Sequence, residues 1–238
     1  MTIDTKMIDT VIFDWGGTLT PWNTLDPHDG WRAYTSVAHA DDVERAAAVA
    51  AALLAADAAR WAIVRDEQRA FTLADVLIDA SVAQHDAAVD AYREFWAQVS
   101  HTDPEAAPTL AALREQGLRL GVLSSTLWPA EWHEEWLRRD GVLDALDACV
   151  WSSDLPYTKP HPTAFEAAME AVGATDPARC VFVGDRPYDD ISGAKGVGMR
   201  AVLVPHSDIP PAQQVPVDVH PDGVIQRLSD LPGLLASW

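Results

Sequence analysis

The chain is poor in the residues that bind polyanions and in those that cross-link a fold. Its 238 residues include three lysines, Lys6, Lys159 and Lys195, and 17 basic side chains stand against 36 acidic ones, for a net charge of −19. A field of that sign repels nucleic acid and anionic lipid, so neither is expected as a partner. It also opposes anionic ligands at long range, so a phosphate site here would need local cations, backbone N–H groups and a metal ion. There are two cysteines, Cys149 and Cys180. Each sits in an apolar run that reads as a buried strand, and reduced core thiols are expected rather than a disulfide. Met1 to Asp9 lacks the apolar core of a signal peptide, and the longest run of small apolar residues, Ala46 to Ala56, is expected to be too short to span a bilayer. The cytoplasm is the expected location. No Gly-Lys-Ser/Thr phosphate loop occurs, which excludes ATP hydrolysis of that type.

Glycine is absent from Trp31 through Gln116, and proline enters that stretch only at Pro104 and Pro108. Alanine-rich segments with helical spacing fill it, notably Asp41 to Ile63, Leu73 to Ile78 and Asp86 to Val99. On either side the pattern changes. Thr10-Val11-Ile12-Phe13 is a continuous apolar run that ends in Asp14 and a glycine pair, Gly16-Gly17. After Pro108, helices alternate with short strands: a helix over 109–116 closed by Gly117, then strands over 118–123, 148–151, 180–183 and 200–204. A helix over about 190–198 leads into the strand over 200–204. Repeated strand–helix units predict a doubly wound parallel sheet, an α/β Rossmann-like core with an inserted all-helical cap domain. The expected boundaries are 1–20 and 102–238 for the core and 21–101 for the cap. Apolar residues at 48% and charged ones at 22% suit such a globular arrangement.

A parallel sheet brings the carboxyl ends of its strands to one edge, where ligands bind. Four strand ends or adjoining loops carry chemistry: Asp14, Ser124, the Lys159 loop and Asp185. Each has a plain structural reading alone. An Asp before glycine serves turns, Ser124 is a candidate helix N-cap, Lys159 is a candidate solvated loop lysine, and Asp185 a turn or cap. Those readings do not account for all four in this order.

Phe13-Asp14-Trp15-Gly16-Gly17-Thr18-Leu19 resembles the first motif of the haloacid dehalogenase superfamily. Leu123-Ser124-Ser125 resembles its second, Lys159-Pro160-His161-Pro162 its third, and Gly184-Asp185 through Asp189-Asp190 its fourth. The helical insert after the first motif resembles the cap that many members place there. The resemblance implies a hydrolase that acts on a small phosphorylated molecule through an aspartyl-phosphate on Asp14. Ser124 and Lys159 would assist catalysis, Gly17, Thr18, Ser125 and Trp15 would contact phosphate or substrate, and Mg²⁺ would be the cofactor. Asp14, the Gly16 backbone carbonyl, Asp185 and Asp190 (or Asp189) would be its ligands.

One position departs from the family pattern. Phosphatases of this kind usually carry a second Asp two residues after the nucleophile, as general acid and base, and here that residue is Gly16. The backbone carbonyl survives, but the proton shuttle does not. His133, His28, Asp26 and His161 are candidates to replace it. Haloacid dehalogenases also lack this Asp and need no metal, so carbon–halogen cleavage by Asp14 is the alternative chemistry, and a slow or purely ligand-binding member a third reading. Schiff-base chemistry is disfavoured, because the cap region holds no lysine. Trp15, Trp22, Trp128, Trp132, Trp136 and Trp151 fall near strand ends or the adjoining helix, where packing competes with an aromatic pocket. Arg32, Arg60 and Arg65 are either solvated or substrate-binding. Gly193, Gly196 and Gly198 read as helix-terminal packing.

Overall fold

The computed structural model describes residues 8–21, 26–205 and 215–238. Lys6, Trp22 and the segment Asn23 to Leu25 lie outside the described residues.

Six strands form one sheet: β1 (Thr10–Phe13), β2 (Arg119–Ser124), β3 (Ala148–Trp151), β4 (Cys180–Gly184), β5 (Arg200–Leu203) and β6 (Gly223–Val224). Their order is β3-β2-β1-β4-β5-β6, and every neighbouring pair runs parallel. The central strands are buried on both faces, which is why they read as unbroken apolar runs rather than alternating ones. The period of two still sorts their side chains. Val11 and Phe13 of β1 join one core, with Val122 and Val183, while Ile12 joins the other, with Leu123 and Phe182. Helices α5 (Ala106–Glu115) and α9 (Leu231–Ala236) supply Leu110, Leu113, Leu231 and Leu235 to the first core. Helix α7 (Pro162–Ala171) supplies Ala164, Phe165 and Ala168 to the second. The remaining core helices are α6 (Ala130–Arg139) and α8 (Gly193–Gly196).

Between β1 and β2 lies the helical insert: α1 (Pro27–Ala38), α2 (Val43–Glu67), α3 (Leu73–Asp79) and α4 (Asp86–Ala97). Local chemistry starts each helix. Asp26, Asp42, Thr72 and His85 are N-caps whose side chains accept from backbone N–H groups, and Thr72 and Asp75 form a full capping box. The insert is tied back to the core at its exit. The Arg139 guanidinium donates to the carbonyls of Ala97 and Ser100 at 2.7 and 2.6 Å, and Asp140 accepts from the Thr102 amide at 2.8 Å.

Several sequence expectations shift. Helix α5 begins at Ala106, because Pro108 falls within its first turn, where a missing N–H breaks no helical bond. In place of one helix over 190–198 there is a π-helical turn, Pro187–Ser192, followed by short α8. The Ala46–Ala56 run lies in the N-terminal part of a 25-residue helix, and among the described residues α2 is the one helix long and apolar enough to cross a membrane by length and composition. Its buried Asp57 accepts from the indole N–H of Trp31 at 3.2 Å, which fastens it to α1. Cys149 and Cys180 are free thiols in β3 and β4, and burial pushes them up to about 12 and about 11.

Candidate active site at the carboxyl edge of the sheet

Asp14 directly follows β1, and its backbone N–H continues the sheet by donating to Val183 at 2.9 Å. Asp185 follows the adjacent β4, and Asp190 returns to the same point from the π-helical turn. Ligand oxygens of Asp14, Asp185 and Asp190 come within 4.8 Å of one another, and all three residues are buried. The return of Asp190 depends on Gly184: a Cβ there would collide with the Asp190 carboxylate. One Asp190 oxygen accepts from the Arg186 amide at 2.9 Å. Asp189 lies outside this trio and faces Arg186, with 3.4 Å between Nη1 and Oδ2.

Lys159 reaches the carboxylates from the loop between β3 and α7. Its ammonium is 2.7 Å from Asp14 and 2.7 Å from Asp190, with Phe182 under it at 5.3 Å. Burial opposes its charge, but the attraction of Asp14 and Asp190 outweighs burial and lifts its pKa above the ordinary lysine value. Burial pushes the Asp14 carboxyl above its ordinary value; Lys159 opposes that push without cancelling it. Asp14, Asp185, Asp189 and Asp190 against Lys159 and Arg186 leave an excess of negative charge and hard oxygen donors. That donor set fits a divalent cation such as Mg²⁺.

The loop that follows Asp14 is a tight turn. Gly17, at φ 88°, donates from its backbone N–H to Thr20 at 2.7 Å, while the Thr18 and Thr20 amides donate to the Trp15 carbonyl. The Gly17 amide is thus committed inside the turn. The Thr18 hydroxyl is buried without a hydrogen-bond partner. From Val11 to Thr20 every residue is buried except Gly16, where an added Cβ would meet open space. Ser124 ends β2 and is buried. The Ser125 hydroxyl accepts from Thr158 at 2.6 Å, which links the second-motif and Lys159 loops.

The tryptophans are gathered into one aromatic mass. Trp15 stacks on Trp136 and meets Trp128 and His133 edge-on, and His133 lies flat on Trp151 at 4.1 Å. This packing accounts for Trp15, Trp128, Trp136 and Trp151 in place; Trp132 joins through Trp136. His133 is fully buried, bonds Thr126 through Nε2, and is pushed by burial down to about 3, so it is a neutral core group rather than a proton donor. His161 caps α7 and stacks on Tyr157, and Asp26 caps α1. His28 sits in the first turn of α1. Arg32 and Arg60 pair with Asp29 and Asp79 on helix surfaces.

Arg186 escaped the sequence reading. It is largely buried and faces Asp189, Asp185, Asp14 and Asp190; burial opposes its charge and these carboxylates restore it. Its signal was position alone, directly after Gly184-Asp185.

A haloacid dehalogenase-like hydrolase family model matches residues 8–198. A glyceraldehyde 3-phosphate phosphatase from Methanopyrus kandleri is 34% identical over 61% of this chain and 61% of its own length, and hexitol phosphatase B of Escherichia coli K12 is 31% identical over 54% of this chain and 54% of its own. The chain thus spans less than two thirds of these relatives. Among solved structures, 2-haloacid dehalogenase from Pseudomonas syringae pv. Tomato DC3000 is 27% identical with a TM-score of 0.66, over 98% of this chain and 100% of that one. A HAD phosphatase from Thermococcus onnurineus superposes with a TM-score of 0.67 at 24% identity, over 96% and 98%, a likeness of fold. Motif order, sheet topology and the family match agree: the chain belongs to the haloacid dehalogenase-like hydrolase family.

Proposed function

We propose that the protein is a phosphomonoester hydrolase of a small phosphorylated metabolite, with Asp14 as nucleophile and Mg²⁺ as cofactor. The observation that carries the reading is the convergence of Asp14, Asp185 and Asp190 within 4.8 Å, with Lys159 bridging two of them. The phosphatases among its relatives support the same substrate class. In this reading residues 21–101 act as the cap over the core.

A carboxylate oxygen of Asp14 attacks phosphorus, and the bond from phosphorus to the leaving oxygen breaks as the aspartyl-phosphate forms. Water then attacks that phosphorus, releases phosphate and regenerates Asp14. Lys159 holds the Asp14 carboxylate in place and offsets charge that builds on the phosphoryl oxygens. In this reading the Ser124 and Thr18 hydroxyls donate to those oxygens. Asp14, Asp185, Asp190 and the Gly16 carbonyl would hold Mg²⁺, which when bound supplies positive charge against the phosphoryl group. The leaving oxygen receives no proton from residue 16, so aryl phosphates should turn over faster than alkyl phosphates.

The resemblance to a 2-haloacid dehalogenase, together with Gly16, favours a second reading, carbon–halogen cleavage by Asp14. The excess of carboxylates weighs against it, since without a cation they repel an anionic haloacid. One assay separates the two. Aryl phosphate turnover that requires Mg²⁺, stops with EDTA and falls at least about 10³-fold in Asp14→Asn is the expected result. Halide release from a 2-haloacid in EDTA, with no phosphate turnover, would replace the phosphatase reading with the dehalogenase one.

A further inference from the structure

Helix α2 ends at Gln68 in the left-handed conformation, φ 57° and ψ 21°. Glycine takes this position with less strain, and a residue with a side chain held there points to a role for that side chain. The backbone around it is joined to the core. The Gln68 carbonyl accepts from the Thr158 amide at 2.9 Å, the Ala70 amide donates to Pro156 at 3.2 Å, and Arg69 pairs with Tyr157 in an antiparallel bridge. Thr158 immediately precedes Lys159. On the other side, the Gln68 amide Nε2 donates to the Tyr188 hydroxyl at 3.5 Å, and Tyr188 lies two residues before Asp190 in the π-helical turn. Gln68 therefore spans the two loops that deliver Lys159 and Asp190 to the nucleophile, from the cap side.

A glycine would make the same backbone bridge. What glutamine adds is a carboxamide with two donors and an acceptor, set against a phenol that both donates and accepts. The single bond between them leaves much of that capacity for another polar group. We propose that Gln68 and Tyr188 recognise the leaving group, and that the substrate is a phosphate ester whose leaving alcohol carries a further hydroxyl. The proposal rests on the phosphatase reading and adds the specificity-determining pair. A site that hydrogen-bonds a substrate hydroxyl discriminates strongly against an analogue lacking it, because its own polar groups are then left unpaired.

The test compares glycerol 3-phosphate, which has such hydroxyls, with p-nitrophenyl phosphate, which has none, in the wild type, Gln68→Gly and Tyr188→Phe. Gln68→Gly suits the left-handed position, so the cap-to-core bridge is kept. The ratio of kcat/KM for glycerol 3-phosphate over p-nitrophenyl phosphate should fall about tenfold in each variant, the worth of one hydrogen bond, with KM moving more than kcat. A parallel fall on both substrates, or an unchanged ratio, would overturn the proposal, because Gln68 would then only latch the cap. Thermal-shift titration with glycerol 3-phosphate gives a readout that needs no turnover. Stabilisation of the wild type that Gln68→Gly loses supports the pair; no shift, or an equal shift in both proteins, overturns it. A wild type silent on both phosphates would overturn the phosphatase reading alone, and the thermal shift would still decide Gln68.

Discussion

Two carboxylates are buried to similar depth in this chain, Asp14 at the end of β1 and Asp57 in the middle of α2, at 4% and 8% exposure. Their surroundings differ in kind. Asp14 meets the Lys159 ammonium at 2.7 Å and shares it with Asp190. Asp57 meets indole N–H groups, Trp31 at 3.2 Å and Trp61 beside it, and burial raises its pKa to about 6. Neutral donors satisfy an acceptor without repaying the loss of its hydration, so a buried acid held only by them gives way toward its protonated form. Burial raises the Asp14 pKa too, but there the Lys159 ammonium opposes the shift, as the proposed nucleophilic role requires. Depth of burial alone therefore does not mark the functional carboxylate; the nature of its partner does.

The contrast breaks most severely at Lys159. Lys159→Met leaves Asp14 and Asp190 buried without their common cation. Removing one member of a buried ion pair typically destabilises by about 3–5 kcal/mol, and on the proposed mechanism the loss of this charge should slow turnover by about 10²–10³-fold. Thermal melts beside aryl phosphate kinetics would show both losses. A variant as stable as the wild type would mean that the two carboxylates do not rely on Lys159.

A gentler change adds a carboxylate where the site is open. Space beyond the α-carbon of Gly16 is empty, and its backbone is not left-handed, so Gly16→Asp should fold. It would supply the missing acid, and a general acid–base contributes about 10²–10⁴-fold in rate. We expect alkyl phosphate turnover to rise by about 10²-fold while aryl phosphate turnover changes much less. Equal gains on both would show that proton transfer to the leaving group is not what limits the native protein.

How far each region could be read from sequence follows the same division. The core was legible because parallel strands announce themselves as short apolar runs, and because Asp14, Ser124, Lys159 and Asp185 recur at the edge where those runs end. Asp190 was left open against Asp189; the collision that a side chain at Gly184 would make, and the reach of Lys159, distinguish them in three dimensions. Arg186 and Gln68 were missed because nothing in their residue type or spacing is unusual. Arg186 matters through the carboxylates around it and Gln68 through a backbone angle, and neither is written in the chain. The cap's helical character was legible from alanine spacing and the lack of glycine, but α1 was not resolved as a helix of its own. Asp57 drew no notice within an alanine-rich run, since only the packing of α1 against α2 buries it. The tryptophans were legible as a group; that His133 lies among them, neutral and stacked on Trp151, was not.

The mildest test of the contrast is Asp57→Asn. The folded chain holds Asp57 at about 6, above the ordinary 3.8. The native state therefore binds that proton more tightly than the unfolded chain does. Its contribution to stability is fully present below pH 3.8 and is lost as pH rises through about 6. At roughly 1.4 kcal/mol per unit of difference, the loss amounts to about 3 kcal/mol at most. Asparagine keeps the shape and an acceptor for Trp31 but does not titrate. Denaturant unfolding should find wild type and Asp57→Asn close in stability near pH 4, with the variant ahead by up to about 3 kcal/mol at pH 8. Equal stability at both ends would mean that Asp57 stays ionised at little cost, and the division between the two buried acids would fail. Turnover supplies the complementary reading. Asparagine at position 57 should leave aryl phosphate hydrolysis intact, whereas the same exchange at Asp14 should abolish it, because in the proposed mechanism Asp14 alone of the two buried acids attacks the phosphoryl group and has a cation beside it.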